Sequence, residues 1–314
     1  MSYEHVPVLL TQTLDALAVK AGGTYADGTL GGGGHASAVC EKLKESGVFL
    51  GIDRDREALV AAEERLRPFL CKKVFVHGNF DAITEIRGSE FQRGFDGAML
   101  DLGVSSYQLD KPERGFSYMQ DGPLDMRMNA EENGFNAADV VATYSEQDLT
   151  RIIRVYGEER WASRIAQFIV RERKKRPICT TGTLSEVIKA AIPASARRDG
   201  PHPAKRTFQA LRIEVNDELG SLQRGVGAWI DALAPGGRLA VITFHSLEDR
   251  IVKDIFRDRE NPCTCPPGLP QCVCGKVGDV KRVNRKPIIA GSHELEENPR
   301  ARSAKLRIVE KKGT

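Results

Sequence analysis

The sequence lacks any long hydrophobic run. None of its apolar segments approaches the ~18 residues of a membrane-spanning helix, and the first residues contain no apolar signal-peptide core. These absences predict that the protein has no membrane partner and is cytoplasmic. With 314 residues, 41% of them hydrophobic, the chain is long enough to bury a large core in one or two domains.

The sequence also lacks an excess of charge of one sign. Its formal net charge is +3, so bulk charge does not indicate a nucleic-acid binder. Lys and Arg are nevertheless concentrated locally: residues 171–206 contain ten against three acids, and residues 276–312 contain eleven against five. These stretches favour a polyanionic partner, although a solvated helix surface would have the same composition. The residues predicted to bind phosphates are Lys174, Lys175, Arg176, Lys205 and Arg206.

Cysteine is scarce outside one segment. Four of the seven cysteines form a C-x-C-x₆-C-x-C pattern at Cys263, Cys265, Cys272 and Cys274. In a reducing compartment, such a cluster indicates either a metal site or free cysteines without a particular role, rather than disulfides. Four thiolates suit tetrahedral zinc, but C-x-C pairs are less typical of zinc sites than C-x₂-C pairs. We therefore assign no metal here and keep zinc as a hypothesis beside a loop of free cysteines.

Apolar strands and helices alternate in the first third of the chain. The predicted strands cover residues 23–30, 48–53, 73–80, 95–103, 238–246 and 304–311. Alternation of this kind predicts an α/β fold with a parallel sheet and right-handed crossovers. No strand is predicted between the fourth and fifth strands, where the sequence predicts helices and loops. We therefore predict a core formed by residues 1–111 and 217–314 and a helical insertion at residues 112–216.

A glycine-rich loop follows the first predicted strand. Gly31, Gly33 and Ala36 fit the pattern G-x-G-x-x-A, and Asp53 ends the second strand twenty residues after Gly33. Glycines let the backbone approach a ligand closely, and a carboxylate in this position can accept hydrogen bonds from ribose hydroxyls. This spacing is found in both nicotinamide sites and S-adenosylmethionine sites, and by itself it is a weak signal.

Asp27 distinguishes between these ligands. A carboxylate just before the glycine loop would repel a pyrophosphate, but it would attract the ammonium and sulfonium groups of S-adenosylmethionine. The sequence therefore favours a cationic methyl donor over a dinucleotide, with a turn that binds no ligand as a third interpretation. Asn79 and Phe80 follow the third strand, where they could contact an adenine ring, and Asp101 ends the fourth strand.

Long motifs give the chain a family resemblance. The segments "HVPVLL", "DGTLGGGGHA", "GIDRD", "LDLGVSSYQLD", "RGFSY", "PLDMRM", "KRTFQALRIEVNDEL", "ITFHSLEDRIVK" and "NPRARSAKLRIVEK" cover nearly the whole sequence. Together they resemble the MraW/RsmH family of bacterial methyltransferases. The resemblance implies a Rossmann-like, S-adenosylmethionine-dependent core with an inserted all-helical domain that recognises the substrate.

The resemblance also implies a substrate and a set of cofactor residues. Members of this family methylate the exocyclic N4 of a cytosine in the 16S ribosomal RNA of the small subunit, so the predicted phosphate contacts become predicted RNA contacts. The family's cofactor positions fall here on Gly33, Gly34, His35, Asp53, Phe80, Asp101 and Gln108. His35 and Gln108 rest on the resemblance alone. We add Asp27 and Gly31 to the predicted cofactor residues because of their positions before and within the glycine loop. The oligomeric state stays open, a homodimer included.

The expected chemistry needs a group that polarises the cytosine amine. N4 is a poor nucleophile because its lone pair is delocalised into the ring, and a hydrogen-bond acceptor at its NH₂ group would help it to react. Asp101, at the end of the fourth strand, and His245 and Ser246, after the fifth, are the predicted catalytic residues. Alternatively, Asp101 only holds the cofactor and His245 is a loop residue with its hydrogen bonds satisfied.

Two other functions were weighed. Asp27 and the lack of an obvious set of hydride-handling residues argue against a nicotinamide oxidoreductase. A non-enzymatic RNA-binding factor is disfavoured because Asp27, Gly33, Asp53 and Asp101 are all intact. The Pro-Pro-aromatic motif of many DNA amino-methyltransferases is missing after Asp101, so the way in which those enzymes hold the base should not be transferred to this chain.

Overall fold

The computed structural model of the protein describes residues 7–88, 91–131, 134–198, 200–266 and 271–313. The chain divides into two compact units. The core unit comprises Met1–Gly103 and Leu219–Thr314, and the inserted unit comprises Val104–Glu218. The sequence pattern had placed these boundaries at residues 112 and 216. The role of the inserted unit in substrate recognition stays a prediction.

A seven-stranded sheet forms the centre of the core unit, with the strand order β3-β2-β1-β4-β5-β7-β6. The strands are β1 (Thr24–Asp27), β2 (Val48–Asp53), β3 (Lys72–His77), β4 (Phe95–Asp101), β5 (Leu233–Thr243), β6 (Val280–Arg282) and β7 (Lys305–Lys311). Strands β1 to β5 are parallel, and β7 runs antiparallel to both β5 and β6. The α/β class and the Rossmann-like order of the first five strands are thereby confirmed.

Helices of the core unit flank this sheet, and the inserted unit has helices of its own. Before the insertion lie α1 (Leu10–Leu17), α2 (Gly34–Leu43), α3 (Arg56–Leu66) and α4 (Ile83–Ile86). The inserted unit contains α5 (Ser106–Asp110), α6 (Ala137–Thr143), α7 (Glu146–Val155), α8 (Ala162–Arg173), α9 (Thr181–Ala191) and α10 (Lys205–Asn216). The chain continues with α11 (Glu218–Ala232), α12 (Ser246–Glu260) and α13 (Ser292–Glu297). No helix within the described ranges is long and apolar enough to cross a membrane.

The central strands contain continuous apolar segments because both faces of the sheet are covered there. In β4, Met99 packs into one hydrophobic cluster and its neighbour Leu100 into the other. In β5, Ala240 and Val241 divide between the same two clusters. Successive side chains of a strand point to opposite faces, so a strand buried on both sides reads as a continuous apolar run. This is why these strands could be located from the sequence.

Strand β5 begins earlier than its apolar run predicts. The segment "APGG" at residues 234–237 was expected to be a turn before the strand, but it belongs to the strand itself. The pairing with β4 shifts register between Phe95 and Gly97, and Gly236 has a φ of +79°. The glycine allows an irregularity inside the strand where the composition suggested a turn.

The inserted unit has a hydrophobic core that is separate from those of the sheet. The fully buried side chains Leu149 and Ile152 of α7, Ile165 of α8 and Leu184 of α9 belong to it. They lie at helical spacing on one face of each helix, as the sequence indicated. A unit with its own core meets one condition for interrupting another domain without disrupting it.

The tryptophan of α11 is the largest fully buried side chain of the core unit, so truncating it should destabilise the protein. Trp229 packs against Phe95, and its Nε1 donates to the carbonyl oxygen of Phe80 at 2.9 Å. We expect Trp229→Ala to lower the free energy of unfolding by about 3–5 kcal/mol, measured by urea denaturation followed by circular dichroism. Leu70→Ala, at a side chain that is 71% exposed, is the control and should change it by less than about 0.5 kcal/mol. Equal stabilities of the two variants would contradict the prediction.

Candidate functional site

Three aspartates lie at the carboxyl ends of adjacent strands. Asp27 ends β1, Asp53 ends β2 and Asp101 ends β4, and β1 lies between the other two strands in the sheet. The chain passes outward from β1 to β2 and β3 and then crosses to β4 on the other side of β1, so the strand order reverses here and this is the topological switch point of the sheet. Open parallel sheets bind their ligands in the crevice at such a point. The fold therefore brings together three residues that are far apart in the sequence.

The glycine loop joins β1 to α2 beside these carboxylates. Gly31 has a φ of +51° and donates its backbone N–H to Asp53 Oδ2 at 2.7 Å. Gly33 has a φ of +76° and is the N-terminal cap of α2, which begins at Gly34. A Cβ atom built on Gly32 would meet no atom within 4 Å. Gly31 and Gly33 thus have a backbone conformation that favours glycine. Gly32 faces open space, where a ligand could approach the backbone.

Thr29 connects the carboxylate of Asp27 to the backbone of Asp101, and the sequence interpretation missed it. Its hydroxyl donates to Asp27 Oδ1 at 3.3 Å and accepts the backbone N–H of Asp101 at 2.5 Å. Asp27 Oδ1 also accepts the backbone N–H of Thr29 at 2.9 Å. An aspartate that accepts a hydrogen bond from the N–H two residues later forms an Asx turn. The segment "DGT" carried that signal, but the link to Asp101 depends on the pairing of β1 with β4.

Burial raises the pKa of all three carboxyl groups. Desolvation is the main cause, and it raises the pKa of Asp27 to about 7 and that of Asp53 to about 6. The pKa of Asp101 is raised well above its usual range, first by burial and then by the negative charges of Asp27 and Glu248. Within the described part of the chain, no Lys or Arg forms an ion pair with Asp27, Asp53 or Asp101. The charge of Arg54 lowers the pKa of Asp53, but it is the smallest of the effects on that group, so basic side chains offset little of the negative charge that these carboxyl groups can carry.

Asp101 retains unused hydrogen-bonding capacity. Its side chain is 27% exposed overall, but its Oδ1 atom is buried and has no hydrogen-bond partner. A buried carboxylate oxygen without a partner is costly. In the described structure, this atom is a free acceptor at the switch point of the sheet. It is consistent with a site that a ligand completes.

His35 is a neutral ring beside Asp101. Its Nε2 lies 2.9 Å from the carbonyl oxygen of Val8, which can only accept, so Nε2 carries the proton. Its Nδ1 lies 3.7 Å from Asp101 Oδ2. Burial lowers the pKa of His35 to about 4, so the ring is uncharged at neutral pH. The histidine therefore does not neutralise Asp101, and its free Nδ1 can only accept.

Asn79 and Phe80 lie after β3, as predicted, and pack against α11. Asn79 Nδ2 donates to Ser221 Oγ at 2.9 Å, while Asn79 Oδ1 is buried without a hydrogen-bond partner. The Phe80 ring lies close to Gly225, where a Cβ atom would come within 2.7 Å of Phe80 Cε2. Glycine in α11 thus makes room for the aromatic ring. Asn79 Oδ1, like Asp101 Oδ1, is an acceptor without a partner.

His245 and Ser246 lie just beyond β5, at the same edge of the sheet as Asp101. His245 is the N-terminal cap of α12, and its Nδ1 accepts the backbone N–H of Glu248 at 3.4 Å. His245 Nε2 lies 3.0 Å from Glu248 Oε1, without the alignment of a hydrogen bond. Ser246 is exposed at the first position of the helix. The histidine therefore has a capping role in the structure, and its catalytic role stays a prediction.

Glu248 is a second residue of this region that the sequence interpretation missed. Its side chain is buried, and its Oε2 accepts the backbone N–H groups of Phe244 at 2.8 Å and His245 at 3.2 Å. A glutamate at the third helical position that reaches back to the cap residue completes a capping box. The spacing of His245 and Glu248 carried this signal. What the sequence did not show is that the glutamate contributes to the negative charge around Asp101.

The remaining predicted cofactor residue, Gln108, belongs to the inserted unit. It lies in the short helix α5, where its Oε1 accepts the backbone N–H of Ser105 at 3.1 Å and its own N–H donates to Ser105 Oγ at 3.2 Å. Gln108 is buried and completes the capping box of this helix. Its contact with the cofactor stays a prediction.

The five predicted RNA contacts are exposed in the inserted unit, three around the end of α8 and two at the start of α10. Lys175 and Arg176 each form an ion pair with Glu172, with N···O distances of 3.0 Å. Arg206 donates to the carbonyl oxygen of Glu158 at 3.1 Å. Exposed ion pairs contribute little to stability, so these cations remain accessible to another anion.

The fold and the site together define a class of protein. A Rossmann-like sheet, a glycine loop at its switch point and unbalanced carboxylates beside that loop are features of an α/β core that binds a cationic nucleoside cofactor. Comparison with known proteins gives the family. A sequence model of the MraW methylase family matches residues 2–312, and the chain belongs to this family of S-adenosylmethionine-dependent methyltransferases. The resemblance seen in the sequence motifs is confirmed.

Curated relatives match the chain along nearly its whole length. It is 56% identical to ribosomal RNA small subunit methyltransferase H of Symbiobacterium thermophilum, over 99% of this chain and 98% of that protein. It is 52% identical to the protein of the same name from Clostridioides difficile, over 99% of this chain and all of that protein.

The residues of the crevice fit S-adenosylmethionine. This cofactor carries an ammonium and a sulfonium group, and both are positive. The three buried carboxylates would attract these cations, and Asp101 Oδ1 and Asn79 Oδ1 offer acceptors without partners. The pyrophosphate of a dinucleotide would instead be repelled. The charge of the crevice therefore agrees with the family assignment.

The raised pKa of Asp27 predicts how the stability of the cofactor-free protein depends on pH. Because this pKa rises from an ordinary value of 3.8 to about 7 on folding, the proton stabilises the folded state. That contribution is fully present below about pH 4 and is lost as the pH rises through 7. Asp27→Asn should therefore lose less stability than the wild type between pH 4 and pH 7, as measured by urea denaturation at a series of pH values.

Asp15→Asn, at an exposed position of α1, is the matched control and should keep the wild-type pH dependence. A wild-type dependence in Asp27→Asn as well would show that this carboxyl group is ionised at low pH like an ordinary aspartate.

Proposed function

We propose that this protein transfers a methyl group from S-adenosylmethionine to the exocyclic N4 of a cytidine in the 16S ribosomal RNA of the small ribosomal subunit. Family membership supports the reaction class, and the names of the relatives support ribosomal RNA as the substrate. The observation that carries the proposal is the buried carboxylate oxygen of Asp101, which lacks a partner at the switch point of the sheet.

We assign the following residues to the cofactor. Asp53 would accept hydrogen bonds from the ribose hydroxyls, since each of its oxygens retains a lone pair beyond the backbone N–H groups of Gly31 and Asp55. Phe80 and Asn79 would contact the adenine. The residues in and around the glycine loop are assigned to the cationic part of the cofactor. They are Asp27, Gly31, Gly33, Gly34 and His35. When bound, S-adenosylmethionine supplies an electrophilic methyl group on a positively charged sulfur.

Asp101 would act on the amine of the target cytosine. Its carboxylate would accept a hydrogen bond from the NH₂ group, which increases the electron density on N4. As N4 bonded to the methyl carbon, the bond between that carbon and sulfur would break and the donor would leave as S-adenosylhomocysteine. N4 would also lose one proton, which the same carboxylate could receive. The raised pKa of Asp101 suits this task, because a carboxylate with an ordinary pKa would be a weak proton acceptor. His245 and Ser246, at the same edge, are the other predicted contacts with the base.

The cysteine positions support the amine rather than ring carbon 5 as the methylated atom. Methylation at carbon 5 of a cytosine needs a thiolate that attacks carbon 6. None of the seven cysteines lies at the carboxyl end of β4 or β5, where the reacting base is expected. N4 needs no covalent attack on the ring, only an acceptor for its proton.

The surface of the inserted unit supports an RNA substrate. On α8, the Arg171 guanidinium lies 4.2 Å and that of Arg164 lies 5.5 Å from the centre of the Phe168 ring. At the start of the same helix, Arg160 lies 5.5 Å from the centre of the Trp161 ring and lines an open groove with it. Exposed arginines beside aromatic rings suit both phosphates and unstacked bases. The helix also leads into the predicted contacts at residues 174–176.

The decisive test combines the product with an aspartate variant. Small ribosomal subunits from a strain that lacks this methyltransferase would be incubated with the protein and S-adenosylmethionine, and their nucleosides analysed by mass spectrometry. We expect N4-methylcytidine from the wild type and from the control Asp15→Asn. Asp101→Asn should lower turnover by at least about 100-fold, because it removes the proton acceptor. A product of 5-methylcytidine or a methylated purine would overturn the proposal.

Calorimetry with S-adenosylmethionine separates the two roles of Asp101. If its carboxylate acts on the base, Asp101→Asn should lose turnover while largely keeping cofactor affinity. If it mainly holds the cofactor, affinity and turnover should fall together. Wild-type turnover in the variant would remove Asp101 from the mechanism.

The basic segment at the end of α8 should contribute to binding of the subunit. Reversing the charges of Lys174, Lys175 and Arg176 to Glu should weaken binding of the small subunit and reduce the salt dependence of binding, by a slope of roughly 0.7–0.9 per lost phosphate contact. Cofactor affinity should not change. Lys42→Glu with Lys44→Glu, both exposed near the end of α2 in the core unit, is the control. Normal binding of the α8 variant at all salt concentrations would show that this segment is only a solvated surface.

A further inference from the structure

The four clustered cysteines lie in the loop between α12 and β6, away from the cofactor crevice. The loop leaves α12 at Glu260 and enters β6 at Val280. Val280 pairs with Lys311, and the neighbouring Glu310 pairs with Arg238, which lies four residues before Ile242 in β5. Asp101, by contrast, pairs with Ile242 near the carboxyl end of the same strand. The loop therefore begins and ends at the edge of the sheet opposite the carboxylates.

The sulfur atoms of this loop converge on one point. Cys272 Sγ lies 3.6 Å from that of Cys263, 3.8 Å from that of Cys265 and 3.5 Å from that of Cys274. Cys263 and Cys274 are 3.8 Å apart, and all four sulfurs lie within 4.8 Å of one another. A zinc ion with Zn–S bonds of about 2.3 Å places tetrahedral thiolates about 3.8 Å apart. A disulfide would need about 2.05 Å, far less than any of these separations.

Backbone N–H groups point at the same sulfur atoms. The N–H of Val273 donates to Cys265 Sγ at 3.4 Å, and those of Thr264 and Lys276 donate to Cys274. Gly275, with a φ of +67°, forms the turn that precedes the N–H of Lys276. Hydrogen bonds of this kind stabilise thiolates and orient them as metal ligands. The loop is thus folded around its sulfur atoms.

The described residues of this loop contribute no buried apolar side chain that could hold it together. Val273 is 77% and Val277 is 85% exposed, and no described residue between Asn261 and Asp279 is buried. A segment without buried apolar side chains gains little from packing, and a bound metal commonly provides the missing stabilisation. Four thiols brought together on an exposed loop without such a cross-link would have no energetic reason to converge.

We propose that Cys263, Cys265, Cys272 and Cys274 bind one zinc ion as thiolates in a tetrahedral structural site. Each thiol that binds gives up its proton to solvent, and the metal holds the two C-x-C segments together. Four protein ligands leave no open position for water or substrate, so the ion serves structure and not catalysis. Its place at the opposite edge of the sheet makes the site independent of the proposed methyl transfer.

Metal analysis of the full chain tests this proposal. The protein would be purified without a histidine tag, under reducing conditions and without chelators, and its metals measured by plasma mass spectrometry. We expect one zinc per chain in the wild type and in Cys179→Ser, which changes an exposed cysteine of the inserted unit. Cys272→Ser should lose the metal, while its far-ultraviolet circular dichroism stays that of the wild type, because the described residues of the loop, 261–266 and 271–279, contain no helix or strand.

Thiol counting and cobalt substitution test the zinc site in the wild-type protein, so the result does not depend on the folding of Cys272→Ser. With zinc bound, the four thiols should be modified by a mercurial reagent, which bonds to their sulfur atoms, and the release of one zinc ion should accompany the modification of these four thiols. Cobalt exchanged into the site should give the visible absorption of tetrahedral thiolate coordination. A chain without zinc, iron in its place, or only three thiols in the denatured unreduced protein instead of seven would overturn the proposal, the last outcome indicating two disulfides.

Discussion

The burial of three carboxyl groups without a basic partner is the constraint on which the cofactor site depends. Taking such groups out of water is costly, and the pKa values of Asp27, Asp53 and Asp101 rise in consequence. Backbone N–H groups and the Thr29 hydroxyl offset part of this cost, but one oxygen of Asp101 receives no hydrogen bond. A cationic ligand would offset the rest. The site is therefore arranged for a partner that carries positive charge, and methyl donors with a sulfonium group meet that requirement.

The topology of the sheet makes this concentration of charge possible. Strand β1 lies between β2 and β4, so three strand ends from separate parts of the chain meet at one place. The glycine loop then turns into α2 without placing side chains in the crevice. The inserted unit has its own hydrophobic core, so it can carry basic and aromatic side chains without disturbing the sheet. In the proposed function, catalytic chemistry and recognition of the RNA would fall to units with separate cores.

The two ends of the core unit use different ligand chemistry. At the carboxyl ends of the strands, carboxylates suit an organic cation, which they attract without forming a covalent bond. At the opposite edge, four thiolates suit a soft metal ion that bonds to them directly. The eleven-residue strand β5 separates the two regions. This separation explains how the loop between α12 and β6 can be a local structural element while the crevice is reserved for the reaction.

The sequence by itself determined the α/β class, six strand positions, the glycine loop and the three aspartates, because apolar periodicity and local spacing are properties of neighbouring residues. Only the tertiary structure showed that Thr29 links Asp27 to Asp101, that Glu248 adds charge beside them, and that four sulfur atoms converge. It also revealed the short strand β6, whose three residues pair with a strand more than twenty positions away. Distances between residues that are remote in the chain are set by strand pairing and packing, and no local pattern encodes them.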